Sequence, residues 1–217
     1  QVNVEKRINS AIDVNVANNL ILALKEYRTA LYFVVSNRIL YNLFSKKNYS
    51  RHHFPSPQKE YEAEKIQSFI SQFLNDDLVL FFDQNVSQNR FDPICDIFDF
   101  KDCFPEESLF QLNKKLSGKM DFILVNINQL NLSNSDAISY VQYRSFYVLL
   151  SCFSSIEMDE KMRSLINIVS DCYNANKQSD FFMTCLTAMA GYTAYDTSLT
   201  DVLLRNREAA LSNISNN

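Results

Sequence analysis

Apolar residues recur at three- and four-residue steps along most of the chain, the period of helices packed by one face. In Val4–Leu24, the residues Ile8, Ala11, Ile12, Val16, Leu20, Ile21 and Leu24 trace such a face. The pattern predicts one helix, or a helical pair broken near Asp13–Asn15. A second run, through Leu31, Val34, Val35, Ile39, Leu40, Leu43 and Phe44, ends at the polar cluster Ser45–Ser50. Arg51–Pro57 is the clearest loop, and Ser56-Pro57 supplies a cap with proline at the first helical position. A long amphipathic helix follows through Ile66, Phe69, Ile70, Phe73 and Leu74.

The stretch 84–106 is the least regular, with Pro93 and Pro105 bracketing acidic and aromatic residues. It predicts a single all-helical domain, 1–217, with sub-units 1–90 and 106–217 joined by segment 91–105. Glu106–Leu116 has helical spacing. In Asp121–Leu132, Ile123, Val125 and Ile127 alternate with Leu124, Asn126 and Asn128, leaving helix and strand both open, with helix favoured by context. Asp136–Ser154, Met158–Ala175, Asp180–Ala194 and Ser198–Ser212 predict strong helices, with Ser135, Ser179 and Thr197 as caps. Their short connections suit antiparallel neighbours. The expected fold is therefore all-α, an irregular antiparallel stack or bundle of HEAT/armadillo-like kind with about eight to ten helices.

Glycine sharpens this picture by its scarcity. Gly118 and Gly191 are the only two in 217 residues, beside four prolines. A glycine-rich phosphate loop or a set of tight hairpins has no material here. Apolar residues at 47% and aromatics at 13% supply a core. The net charge of −4 argues against a general nucleic-acid binder, which needs a basic excess. The longest apolar run, Phe146 to Phe153, is broken by Ser151 and falls far short of the ~18 residues of a membrane span. The chain begins at Gln1, as a fragment or processed form does, and a removed signal peptide stays open.

Five cysteines, none at C-x-x-C spacing, and only two histidines argue against a zinc site or disulfide framework. Asn-x-Ser sequons at Asn48, Asn85, Asn131 and Asn213 would count only in a secreted chain. The expected location is cytoplasmic or nuclear. No metal or cofactor is expected.

Five groups of residues are candidates for chemistry or contact. Asp76-Asp77 invites comparison with the aspartate-rich motif of helical terpene cyclases, but the third acid needed to hold magnesium is missing. An ordinary acidic helix end explains it. Asp92, Asp96, Asp99 and Asp102, interleaved with Phe91, Ile94, Ile97, Phe98 and Phe100, suit either a docking segment or a short amphipathic helix. Lys46, Lys47, Arg51, His52 and His53 make the one basic spot, a candidate phosphate or nucleic-acid contact or a plain solvated loop. Tyr140, Tyr143, Arg144 and Tyr147 line up at helical steps, as an interface anchor or as core packing. Arg205 and Arg207 lie on the expected open side of the last helix. Catalytic signatures such as Gly-x-Ser-x-Gly are absent.

Residues 1–48 resemble the helical repeat of IQGAP-type scaffold proteins. The resemblance rests on Ile8-Asn-Ser-Ala-Ile-Asp13, on Asn18-Asn-Leu-Ile-Leu-Ala-Leu24, on Ala30-Leu31, and on Tyr41 and Leu43. Val14-Asn15 departs from it, standing where the family favours glycine, and no second copy is evident. It implies a scaffold segment that presents surfaces to other proteins. The leading expectation is a non-enzymatic module binding a protein or peptide partner along a helix-lined groove. The alternatives are an apolar cavity for a lipid or isoprenoid, as receptor or enzyme, and weak nucleic-acid binding through residues 46–53.

Overall fold

The computed structural model describes residues 13–45, 61–127, 132–175 and 179–214. Helices and the turns between them account for all of these, and no strand occurs among the described residues. The chain divides into two compact units, Gln1–Phe81 with Asp99–Leu109 and Phe82–Phe98 with Phe110–Asn217. The sequence-based division differs. Segment 91–105 is not a connector between 1–90 and 106–217, because its first part belongs to the second unit and its remainder to the first.

In the first unit the predicted long helices are cut into shorter ones. Helix α1 (Val14–Glu26) begins on Asp13, whose carboxylate accepts from the Asn15 N–H at 2.9 Å, and the residues before Asp13, on which the expected helical pair rests, lie outside the described residues. The run Leu31–Phe44 divides into α2 (Arg28–Ser36) and α3 (Arg38–Phe44). Asn37 makes the cut. Its side-chain oxygen accepts from the N–H groups of Ile39 and Leu40 at 3.0 and 3.1 Å, so the chain leaves one helix and starts the next. The proposed Ser56-Pro57 cap lies outside the described residues. Then come α4 (Ala63–Phe73) and α5 (Asn75–Ser87). Ala30, Val34, Leu40, Ile66, Phe69, Ile70 and Leu78 are buried, together with Phe100, Cys103 and Phe104. Gln67 ties α4 to the later segment by donating to the Phe104 carbonyl at 3.0 Å.

Helix α5 ends on a backbone motif rather than a glycine. Asn89 is left-handed, with φ of 55°, the one positive φ among the described residues. Its N–H bonds the Val86 carbonyl at 3.2 Å, and the Arg90 N–H reaches the Asn85 carbonyl at 2.8 Å. These are the two bonds of a Schellman closure, with asparagine at the position glycine usually takes. Neither glycine in the chain has a positive φ.

The second unit contains α6 (Asp92–Ile97), followed by a 3₁₀ segment Phe98–Cys103 that continues into the first unit. Helix α7 (Glu106–Ile127) resolves the helix-or-strand ambiguity for 121–127. Leu116, Met120, Ile123 and Ile127 are buried while Phe122 and Val125 are exposed, so burial follows the helical period. Asp136–Ser154 is not one helix. A 3₁₀ segment, Leu132–Gln142, gives way to an extended Tyr143 (φ −95°, ψ 112°) and then to α8 (Arg144–Ser151). The buried Tyr147 hydroxyl, donating to the Val141 carbonyl at 2.8 Å, braces the break.

Helices α9 (Ile156–Ala175), α10 (Asp180–Met189) and α11 (Thr197–Ile214) close the unit. Helix α10 packs on α8, α9, α11 and the Leu132–Gln142 segment, and so lies at the centre of the core. It stops five residues short of the predicted Ala194, because residues 192–196 turn back onto Asp159. The cap of α11 is Asp196 rather than Thr197, since its carboxylate accepts from the Ser198 N–H at 2.9 Å. Ser179 holds the cap position of α10 without a side-chain bond, and the Ser135 side chain lies outside the described set. Among the described residues the helices already run to α11, beyond the eight to ten expected, because asparagine and tyrosine breaks divide runs that look continuous in sequence.

Candidate functional site

The tyrosine–arginine face does not form. Its helical period stops at the extended Tyr143, and the four residues separate by burial. Tyr140 is buried and its hydroxyl donates to the Lys119 carbonyl at 2.9 Å. Tyr147 is buried completely. Both are core residues with satisfied hydroxyls, which removes them from any contact surface. Burial pushes the Tyr140 hydroxyl up to about 12 and the Tyr147 hydroxyl well above its usual range. The Lys119 ammonium sits 4.5 Å from the centre of the Tyr140 ring and bonds the Asn89 side-chain oxygen, and loss of water lowers its pKa. Tyr143 and Arg144 remain exposed. Arg144 also explains Gly191, because a Cβ there would stand 2.9 Å from Arg144 Cγ and 3.0 Å from its carbonyl oxygen.

The other expected groups fare unequally. Asp96 is half-buried on α6 in the second unit, whereas Asp99 and Asp102 are exposed on the 3₁₀ segment in the first. They do not share one helix face. Arg205 is exposed, as expected. Arg207 is not, because it is half-buried and its Nε is enclosed without a hydrogen-bond partner among the described residues. Lys46, Lys47, Arg51, His52 and His53 lie outside the described residues. Asp76 and Asp77 occupy the first turn of α5, and no group of acids, histidines and cysteines placed to hold a metal occurs among the described residues.

Two features escaped the sequence reading. The first is a surface on α1 and α2. Val16, Leu20 and Leu24 match a core pattern, yet they are 57%, 56% and 50% exposed. Tyr32 and Val35 on α2 are exposed as well. A groove of about 550 Å³ runs between Leu24, Arg28, Thr29, Leu31, Tyr32 and Val35. A second hollow of about 380 Å³ shares Thr29 and Tyr32 and extends to Phe33, Tyr61 and Ile66. A Lys65–Glu62 ion pair of 2.6 Å stands at its edge. Arg28 is the single charge in the first groove. This arrangement suits an apolar ligand surface with one anionic contact. No sequence signal separated these positions from core, because periodicity reports which face is apolar and not whether anything covers it.

The second feature is Asp159, buried in α9. Its carboxylate accepts from the Tyr192 hydroxyl at 2.7 Å and from the N–H groups of Tyr195 and Asp196 at 3.2 and 2.7 Å. Burial and this hydrogen bond raise the Tyr192 hydroxyl. With every partner satisfied from within the fold, the cluster is a clamp on the α10–α11 connection rather than a reactive centre. In sequence, Met-Asp-Glu-Lys looks like an ordinary wet helix turn.

No protein-family model matches the chain, and no curated protein or solved structure matches it. Among the described residues no helix is long and apolar enough to cross a membrane.

Proposed function

We propose that this protein is a non-enzymatic interaction module that binds a protein or peptide partner along the α1–α2 groove. The observation that carries the reading is the exposed apolar surface of Leu20, Leu24 and Val35 beside Arg28, the one charge lining the groove. Apolar side chains grouped in this way on a surface mark interaction sites, and a tyrosine with an arginine is typical of their energetic centres. The likeness of residues 1–48 to a scaffold repeat supports the same reading. Consecutive helices packing on one another, α1 on α2 and α2 on α3, support an irregular stack of HEAT/armadillo-like kind. Tyr143, Arg144 and Arg205 are secondary contact candidates. The cytosol or nucleus is the proposed setting.

The test is recovery of bound proteins from the native source with the full chain as bait, beside Tyr32→Asp and Leu24→Asp baits. Both positions are at least half exposed, so the variants should fold. A stoichiometric partner lost from both variants supports the reading. A partner retained by both moves the interaction elsewhere, and a bait without any partner removes the proposal.

A further inference from the structure

Helix α1 is amphipathic, and most of its apolar half is exposed. At about 100° per residue, Val16, Ala17, Leu20, Ile21, Ala23 and Leu24 fall on one half of the helix. Asn15, Asn18, Asn19, Lys25 and Glu26 fall on the other, with Val14 and Leu22 among them. Ala23 is the one buried residue of α1. A helix of 13 residues is marginal in water and takes its stability from packing of its apolar face.

Charge says what covers it. The apolar stripe carries none, but each end does. Asp13 stands at the N-terminal end, three residues before Val16 on the same face. Arg28, the first residue of α2, lines the same groove as Leu24 at the other end, and no carboxylate among the described residues pairs with it. A stripe with an acid at one end and a base at the other complements itself under a two-fold axis. A partner carrying one sign of charge would meet repulsion at one end.

We propose that a second copy of this chain covers the stripe, α1 lying antiparallel on α1 with the axis near Leu20. In that register Leu20 meets its own counterpart, Val16 meets Leu24, and Asp13 of one copy falls opposite Tyr27 of the other, one residue from Arg28. The Asp13 carboxylate uses one oxygen to cap α1 and keeps the second for the guanidinium. Tyr32 and Val35 extend the contact onto α2. Covering these side chains would bury roughly 500 Å² per copy, at the lower end for a specific interface, so the dimer is concentration-dependent. The inference rests on reading the α1–α2 surface as an interaction face, and it names an occupant.

Sedimentation of the full chain between roughly 1 and 200 µM tests it, a range that brackets micromolar association. The expected result is a reversible dimer. Leu20→Glu should weaken association about tenfold or more while leaving the helical circular dichroism and the melting temperature unchanged, because buried like charges at an axis repel. Asp13→Lys and Arg28→Glu should each weaken it by a smaller factor. An equimolar mixture of those two variants should restore the dimer, since every end contact of the mixed pair again joins opposite charges. A monomer at all concentrations overturns the proposal, as does a dimer indifferent to Leu20→Glu. A mixture that fails to restore association overturns the antiparallel register. If the chain is monomeric and Tyr32→Asp still loses a heterologous partner, self-pairing fails while the interaction reading stands.

Discussion

Helices α1 and α9 carry the same kind of apolar stripe and meet opposite fates. On α9, Met158, Met162, Leu165, Ile166, Val169 and Tyr173 are all buried, and Asp159 is drawn into the core beside them. On α1 the stripe leaves Val16, Leu20 and Leu24 at least half exposed. Amphipathic period specifies which side wants cover. Only the elements around it decide whether cover exists: α9 has α10 and α11 against it, while α1 packs chiefly on α2.

The largest expected break in this comparison comes from truncating equivalent leucines. Leu165→Ala, at a fully buried site, should cost about 3–4 kcal/mol by the lost transfer energy and the cavity left behind. Leu20→Ala should change the stability of the monomer by less than about 0.5 kcal/mol. Urea unfolding of both measures the contrast, and equal losses would mean that α1 is covered after all. Next is the clamp. Asp159→Ala leaves two N–H groups and a buried hydroxyl without acceptors, at about 3 kcal/mol, while Tyr192→Phe removes one bond, at about 1 kcal/mol. The difference between their urea midpoints reports how much of the carboxylate's role lies with the backbone.

The two glycines give a smaller, signed comparison. Gly191→Ala forces a Cβ against the Arg144 and Ala188 carbonyls and should destabilise by about 2 kcal/mol. Gly118→Ala, in the middle of α7 with nothing within 4 Å of the new Cβ, should stabilise by about 0.5–1 kcal/mol. Thermal melts giving both the same sign would refute the packing at Gly191. The smallest effect is electrostatic. The Ser198 backbone N–H, then the Ser198 hydroxyl and Arg163, hold the Asp196 carboxyl below its ordinary 3.8. A depressed folded pKa contributes stability that is present above the unfolded value and lost as pH falls through the folded one. Melts below about pH 4 should therefore fall less steeply for Asp196→Asn than for the parent, since asparagine keeps the cap and does not titrate.

Sequence was most legible where period and cap agreed. Helix α9 fills the predicted span from Met158 to Ala175, where the described residues stop, and α11 begins one residue before its predicted start. It was least legible at Asn37, whose own side chain caps the helix that follows, and at Tyr143, where the chain turns extended and the nearby Tyr147 hydroxyl braces the break. Tyr140 and Tyr147 show the same limit at the level of contacts. The extended Tyr143 interrupts their helical spacing, and burial is a tertiary property that no spacing reports. Arg28 joined no candidate group, because an isolated cation gains meaning only beside the groove that frames it.

The distribution of thiols offers a use that needs no engineering. Cys103 in the first unit and Cys185 in the second are both fully buried, and burial pushes both thiols up, Cys103 to about 11. Neither reacts with an alkylating dye until its surroundings open. Mass-resolved labelling would then time the opening of each unit separately. Equal rates would identify one cooperative molecule, and unequal rates would identify two foldons within one chain.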